Sequence, residues 1–141
     1  MSSRVSAKLK RQVFERARAC CEYCLCQAKY SSDPFSIEHI IPVVKGGLNE
    51  SVNLALACQG CNGQKYDKIE SIDPVTQLLV PLYNPRLYIW NEHFEWHSDY
   101  CLIVGLTPTG RATVELLNLN REGVVNLRFV LHTMGQHPPN L

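Results

Sequence analysis

No stretch of the sequence approaches the roughly 20 consecutive apolar residues that a membrane-spanning helix needs, so a helical membrane protein is excluded. Charge of one sign is scarce too. Fourteen Lys and Arg stand against 13 Asp and Glu, a formal net charge of +1. That balance excludes a protein that holds nucleic acid by bulk charge alone. The first ten residues, Met1 to Lys10, are polar and basic and lack an apolar core, so no secretory signal is expected. Internal repeats, low-complexity tracts and a base-reading helix-turn-helix are also missing. What remains is a chain of 141 residues, 45% hydrophobic and 19% charged, which is the composition of one folded domain.

Two features are present in excess. Arg4, Lys8, Lys10, Arg11, Arg16 and Arg18 crowd the first stretch, opposed there only by Glu15. Such a run is either a solvated helix face or a local basic face that holds phosphates. The second excess is cysteine, with seven in the chain. In the reducing, cytoplasmic setting expected without a secretory signal, disulfides are disfavoured and metal binding becomes the default.

The cysteines form two knuckles, Cys21-x-x-Cys24 and Cys58-x-x-Cys61. Each CxxC turn sets two thiolates on one side of a tight loop, and two turns complete a tetrahedral sulfur site. Four sulfurs leave no open coordination position, so the zinc is expected to be structural. Cys20 and Cys26 flank the first knuckle as competing ligands, and Cys101 sits in an apolar segment as a packing residue. Zinc ribbons usually separate their knuckles by about 15–20 residues. The span from Cys24 to Cys58 is much longer, so a folded insert lies between them.

The insert carries Ile37-Glu38-His39-Ile40-Ile41-Pro42, then Lys45-Gly46-Gly47 and Asn53-Leu54. The second knuckle follows as Cys58-Gln59-Gly60-Cys61-Asn62-Gly63-Gln64-Lys65. This order resembles the zinc-containing branch of the HNH endonucleases, the ββα-metal nucleases. The resemblance runs from Cys21 to Lys65, with Glu where Asp or His is commoner and Asn in place of the final His. It implies a ββα-metal unit, Asn53 fixing the loop that carries the catalytic histidine, and cleavage of DNA to 5′-phosphate and 3′-hydroxyl ends. A looser resemblance to a bacterial subgroup covers Asn84-Pro85-Arg86, Trp90, His93-Phe94, Trp96 and the segment from Gly105 to Val114.

The residue types suit phosphodiester hydrolysis independently. His39 is of the residue type best suited to take a proton from water. Glu38 and Asn62 offer hard oxygens for one Mg²⁺ or Mn²⁺, which would act as a Lewis acid on the leaving oxygen. Lys65 lies three residues beyond Asn62 on one helix face, where it is expected to contact a phosphate or stabilise the transition state. Adjacent strand residues point to opposite faces, so Glu38 and His39 require the strand to end there.

The expected fold is α+β, with a single domain over 1–141, an HNH core at about 20–71 and a supporting extension at 75–135. Helices are expected over Ala7 to Cys20, Gln59 to Glu70, Pro108 to Leu117, and from an Asn120 cap to His132. Strands are expected over Phe35–Ile41 and Asn53–Ala57, with a hairpin joining Phe94–Trp96 to Cys101–Leu106. Val75 to Arg86 reads as an irregular linker and Gln136 to Leu141 as a frayed tail. His93 and His97 read as packing residues rather than a second metal site. Trp90 and Trp96 read as core, while Arg86 and Arg111 either reach phosphate, cap a helix or pair with carboxylates. Two rival functions remain: a zinc-stapled DNA-binding module without catalysis, and a thiol redox protein. DNA contacts are expected mainly at the backbone, with no membrane partner.

Overall fold

The computed structural model describes residues 4–141, so Met1–Ser3 of the basic stretch lie outside it. Helix α1 (Ala7–Arg16) starts at Ser6, whose hydroxyl accepts from Leu9 N at 3.2 Å. It stops short of Cys20 because Arg18 and Ala19 take positive φ and turn the chain into the first knuckle. Strands β1 (Ser36–His39) and β2 (Leu54–Ala57) pair antiparallel, and α2 (Gln59–Lys65) follows directly. That order of β1, β2 and α2 is the ββα unit. Helix α2 ends at Tyr66, whose φ of 51° breaks the helical run before Glu70.

The segment expected as an irregular linker contains structure. β3 (Glu70–Ile72) and β4 (Leu79–Pro81) form a hairpin. Asp73 organises its turn, accepting from Val75 N, Thr76 N and the Thr76 hydroxyl. A short helix α3 (Trp90–His93) leads into the β5 (Phe94–His97) and β6 (Leu102–Gly105) hairpin. Helices α4 (Pro108–Leu117) and α5 (Glu122–Thr133) complete the chain. Thr107 caps α4 by accepting from Gly110 N at 3.0 Å, with Pro108 in the first turn. Asn120 does not cap α5. Its amide makes two hydrogen bonds to the backbone of Ile103 and ties the β6 strand to the α4–α5 turn. The tail is likewise engaged: Gln136 takes hydrogen bonds from Gln27 and Tyr30, and His137 is buried against Tyr100.

The β1–β2 sheet separates two cores. Its register sets Ile37 opposite Leu56 and His39 opposite Leu54, on the face that α1 covers with Val13 and Ala17. Glu38 opposite Ala55 and Ser36 opposite Ala57 belong to the other face, where Ala55 and Ala57 join the cysteines, Tyr23, Tyr83 and Phe94. Arg16 closes the α1 side by donating to the Ser51 hydroxyl at 2.7 Å and to Leu54 O at 2.8 Å. Among the described residues no helix is long and apolar enough to cross a membrane.

Candidate active site

Cys21, Cys24, Cys58 and Cys61 are all buried, and their sulfurs lie within 4.8 Å of one another. A tetrahedral zinc with Zn–S bonds of about 2.3 Å needs sulfurs about 3.8 Å apart. Cys24 Sγ and Cys58 Sγ are 3.7 Å apart, so the cluster fits that ion. Cys20 and Cys26 fall outside this set of four, and all seven cysteines are free thiols.

One further participant is brought in by the fold alone. Arg121, at the start of α5, directs Nη2 to Cys58 Sγ at 3.1 Å and Nη1 to Cys61 Sγ at 3.7 Å. Burial works to lower the Arg121 pKa, but the charges of Cys61, Cys24 and Cys58 outweigh it and hold the guanidinium above its usual value. Such N–H···S contacts spread the negative charge of a four-thiolate site. Gly60 makes room for them, because a Cβ there would lie 2.5 Å from the guanidinium. Arg121 is sixty positions beyond Cys61, so no local pattern could have signalled it.

His39 is half-buried at the end of β1, on the α1 side of the sheet. Its Nε2 lies 2.5 Å from Asn49 Oδ1. The amide of Asn49 is oriented independently, because its Nδ2 donates to Arg4 O at 3.0 Å. The oxygen of Asn49 therefore faces the imidazole, and His39 must present Nε2–H to it. In the neutral imidazole, Nδ1 then carries the lone pair. Sequence reading did not single out Asn49, which sits in a turn with no periodic pattern.

Asn53 is buried and binds the loop that follows His39. Its Oδ1 accepts from Ile41 N at 2.9 Å, and its Nδ2 donates to Ile41 O and Leu48 O, each at 3.0 Å. Two glycines shape this loop for different reasons. Gly46 has φ of 89°, and a Cβ on Gly47 would lie 1.6 Å from Ile41 O.

β1 ends at His39, yet Glu38 and His39 still face opposite ways, because both are paired in the ladder. Glu38 is only 4% exposed. The Tyr23 hydroxyl donates to its Oε1 at 2.5 Å. The Lys65 ammonium stands 3.0 Å from its Oε2, off the hydrogen-bond direction, so this buried oxygen has no aligned donor. Burial pushes the Glu38 carboxyl above its usual range, opposed by the Lys65 charge and the Tyr23 hydrogen bond. Burial and the neighbouring Glu38 charge push the Tyr23 hydroxyl well up, which keeps it the donor.

Lys65 does not reach the surface, where a phosphate contact would require it to be. It is 1% exposed and also donates to Ile40 O at 2.8 Å. One ammonium thus holds the residues on either side of His39. Asn62, on the same helix, is half-buried and has no side-chain hydrogen bond among the described residues. Glu38 Oε2 and the Asn62 amide oxygen are hard donors, and Oε2, although ion-paired with Lys65, accepts no hydrogen bond. That chemistry fits a Mg²⁺-type ion.

A groove of about 530 Å³ is lined by Arg4 and Val5 ahead of α1, Lys10 on α1, and Phe35, Ser36, Ile37 and His39 at β1. The remaining residues set aside at the sequence level are engaged structurally. Arg86 pairs with Glu22 and Arg111 with the buried Asp73. His93 bonds to Thr107, and Trp90 donates to Tyr23 O. Among the described residues, the four cysteines are the only cluster of His, Cys, Asp or Glu arranged to hold a metal.

The HNH endonuclease family model matches residues 21–68, from the first zinc knuckle past helix α2. The chain carries an HNH domain. Both knuckles, His39, Asn53, Asn62 and Lys65 lie within it, while α1, Arg121 and the β5–β6 hairpin lie outside. No curated protein and no solved structure matches the chain.

Proposed function

We propose that this HNH protein is a metal-dependent endonuclease that hydrolyses DNA phosphodiesters with His39 as general base. One observation carries the reading. The Asn49 amide holds Nε2–H of His39, leaving the Nδ1 lone pair on an imidazole that lines a basic groove. A lone pair in that position can accept the proton of an attacking water. Asn53 keeps the His39–Ile41 backbone in place through its three side-chain hydrogen bonds. Glu38 and Asn62 would hold a Mg²⁺ or Mn²⁺ ion, and a phosphate shared with His39 would have to reach round the end of β1, because Glu38 and His39 leave the strand on opposite faces. When bound, that ion supplies Lewis acidity to the phosphate and its leaving oxygen, giving 5′-phosphate and 3′-hydroxyl ends. The four cysteines hold a structural zinc that fastens α2 to the first knuckle.

The burial of Glu38 against Lys65 favours a second reading, a zinc-stapled DNA-binding module without catalysis, since a carboxylate already paired has no need of a metal. Plasmid cleavage separates the two. Zinc-loaded protein is expected to nick or linearise supercoiled DNA with Mg²⁺ or Mn²⁺ and not with EDTA. His39→Ala is expected to lose about 10²–10⁴ in rate, the usual worth of a general base. Binding without cleavage by both proteins, across metals and substrates, would overturn the nuclease reading.

A further inference from the structure

The groove beside His39 has a composition of its own. Arg4 and Lys10 supply cations, Ser36 a hydroxyl and Phe35 a ring, and among the described residues no carboxylate lines it. The chain as a whole is nearly neutral, so this is a local concentration of positive potential rather than the overspill of a basic protein.

The wall carrying these cations is fixed to the base it flanks. Asn49 bridges them directly, with Oδ1 on His39 and Nδ2 on the carbonyl of Arg4. Helix α1, which projects Lys10, is anchored at both ends. Val5 and Val13 are buried under the sheet, Ser6 caps its start, and Arg16 ties its end to Ser51 and Leu54. Lys10 itself is exposed and stands on a rigid element. A strand whose scissile phosphate sits at His39 would have to extend somewhere, and this channel leads from that histidine between two cations.

We infer that the groove between α1 and β1 is the track for the DNA strand, with Arg4 and Lys10 contacting phosphates that flank the one at His39. The inference rests on the nuclease reading for its ligand and adds the surface that delivers the strand. It also assigns the basic N-terminal stretch a specific role: the contacts are to backbone, so they are indifferent to base sequence. Lys10 and Arg4 act in binding and stand outside the HNH domain.

The test is binding, measured on His39→Ala protein so that cleavage does not intervene. Fluorescence anisotropy is followed against salt, without added divalent ion, for two duplexes of unrelated sequence. Lys10→Gln and Arg4→Gln are each introduced into this background, then combined. Lys29→Gln, an exposed lysine outside the groove, serves as the control. Each phosphate contact removed should lower the slope of log K against log salt by about 0.9, so the double variant should lose about 1.8. Both duplexes should show the same loss. An unchanged slope in the double variant would overturn the inference, as would an equal loss in Lys29→Gln or a loss confined to one duplex. The outcome is separable from that of the nuclease reading, which stands or falls on cleavage by the parent protein and its absence in His39→Ala.

Discussion

Replacing Lys65 by Met tests the centre of the site most sharply. The side chain is 1% exposed, and its ammonium is the positive charge that faces the buried Glu38 carboxylate. Removing one member of such a pair costs about 3–5 kcal/mol, because the other charge stays buried and unpaired. For a domain of this size each kcal/mol shifts the melting temperature by about 2–4 °C, so a fall of about 10 °C is expected. The loss should depend on pH in a defined direction. Burial already raises the Glu38 carboxyl, with Lys65 opposing it, and without Lys65 it rises further. A carboxyl raised in the folded state binds its proton more tightly there than in the unfolded chain. Its stabilising effect is therefore complete below the unfolded value of about 4.3 and is lost as pH climbs through the folded one. Lys65→Met should accordingly lie closest to the parent at low pH and furthest from it at high pH. Urea unfolding of zinc-saturated protein at pH 6 and pH 8, followed by Trp90 and Trp96 fluorescence, measures this with the parent as reference at each pH. Glu38→Gln combined with Lys65→Met removes both charges and should be more stable than Lys65→Met alone. A Lys65→Met deficit below about 1 kcal/mol at pH 8, or one that grows as pH falls, would refute the buried pair.

Two further outcomes follow from the geometry. Arg121→Ala removes both N–H···S contacts to Cys58 and Cys61, and should weaken zinc retention about 10–100-fold in competition with a chelating dye. Asn53→Ala removes three hydrogen bonds from the Ile41–Leu48 loop, two of them to the backbone of Ile41. It should lower kcat for DNA cleavage with little change in KM, because it displaces the base and leaves the groove's cations, Arg4 and Lys10, in place; an effect confined to KM would refute that role.

The local chemistry is legible in the order of residues. Two CxxC knuckles declare a tetrahedral sulfur site because each turn commits two thiolates to one side of a loop, and the structure clusters those four sulfurs. Glu38-His39 between the knuckles, the Gly46-Gly47 turn and the Thr107-Pro108 helix start are equally local, and each reads directly from residue type and spacing. Tyr23 stood inside the first knuckle, but nothing nearby linked it to Glu38. The β3–β4 hairpin was missed because Pro81 and Pro85 suggested an irregular segment, whereas the Asp73 turn and its pairing with Arg111 supply what the strands lack in pattern. Which way the charged residues face depends on packing. Strand alternation sends Glu38 and His39 to opposite sides of the sheet, and α2 then buries Lys65 against the carboxylate instead of exposing it to phosphate. Asn49 and Arg121 gain their partners from residues 10 and about 60 positions away. Contacts of that range are set by how the elements pack, and no periodicity along the chain encodes them.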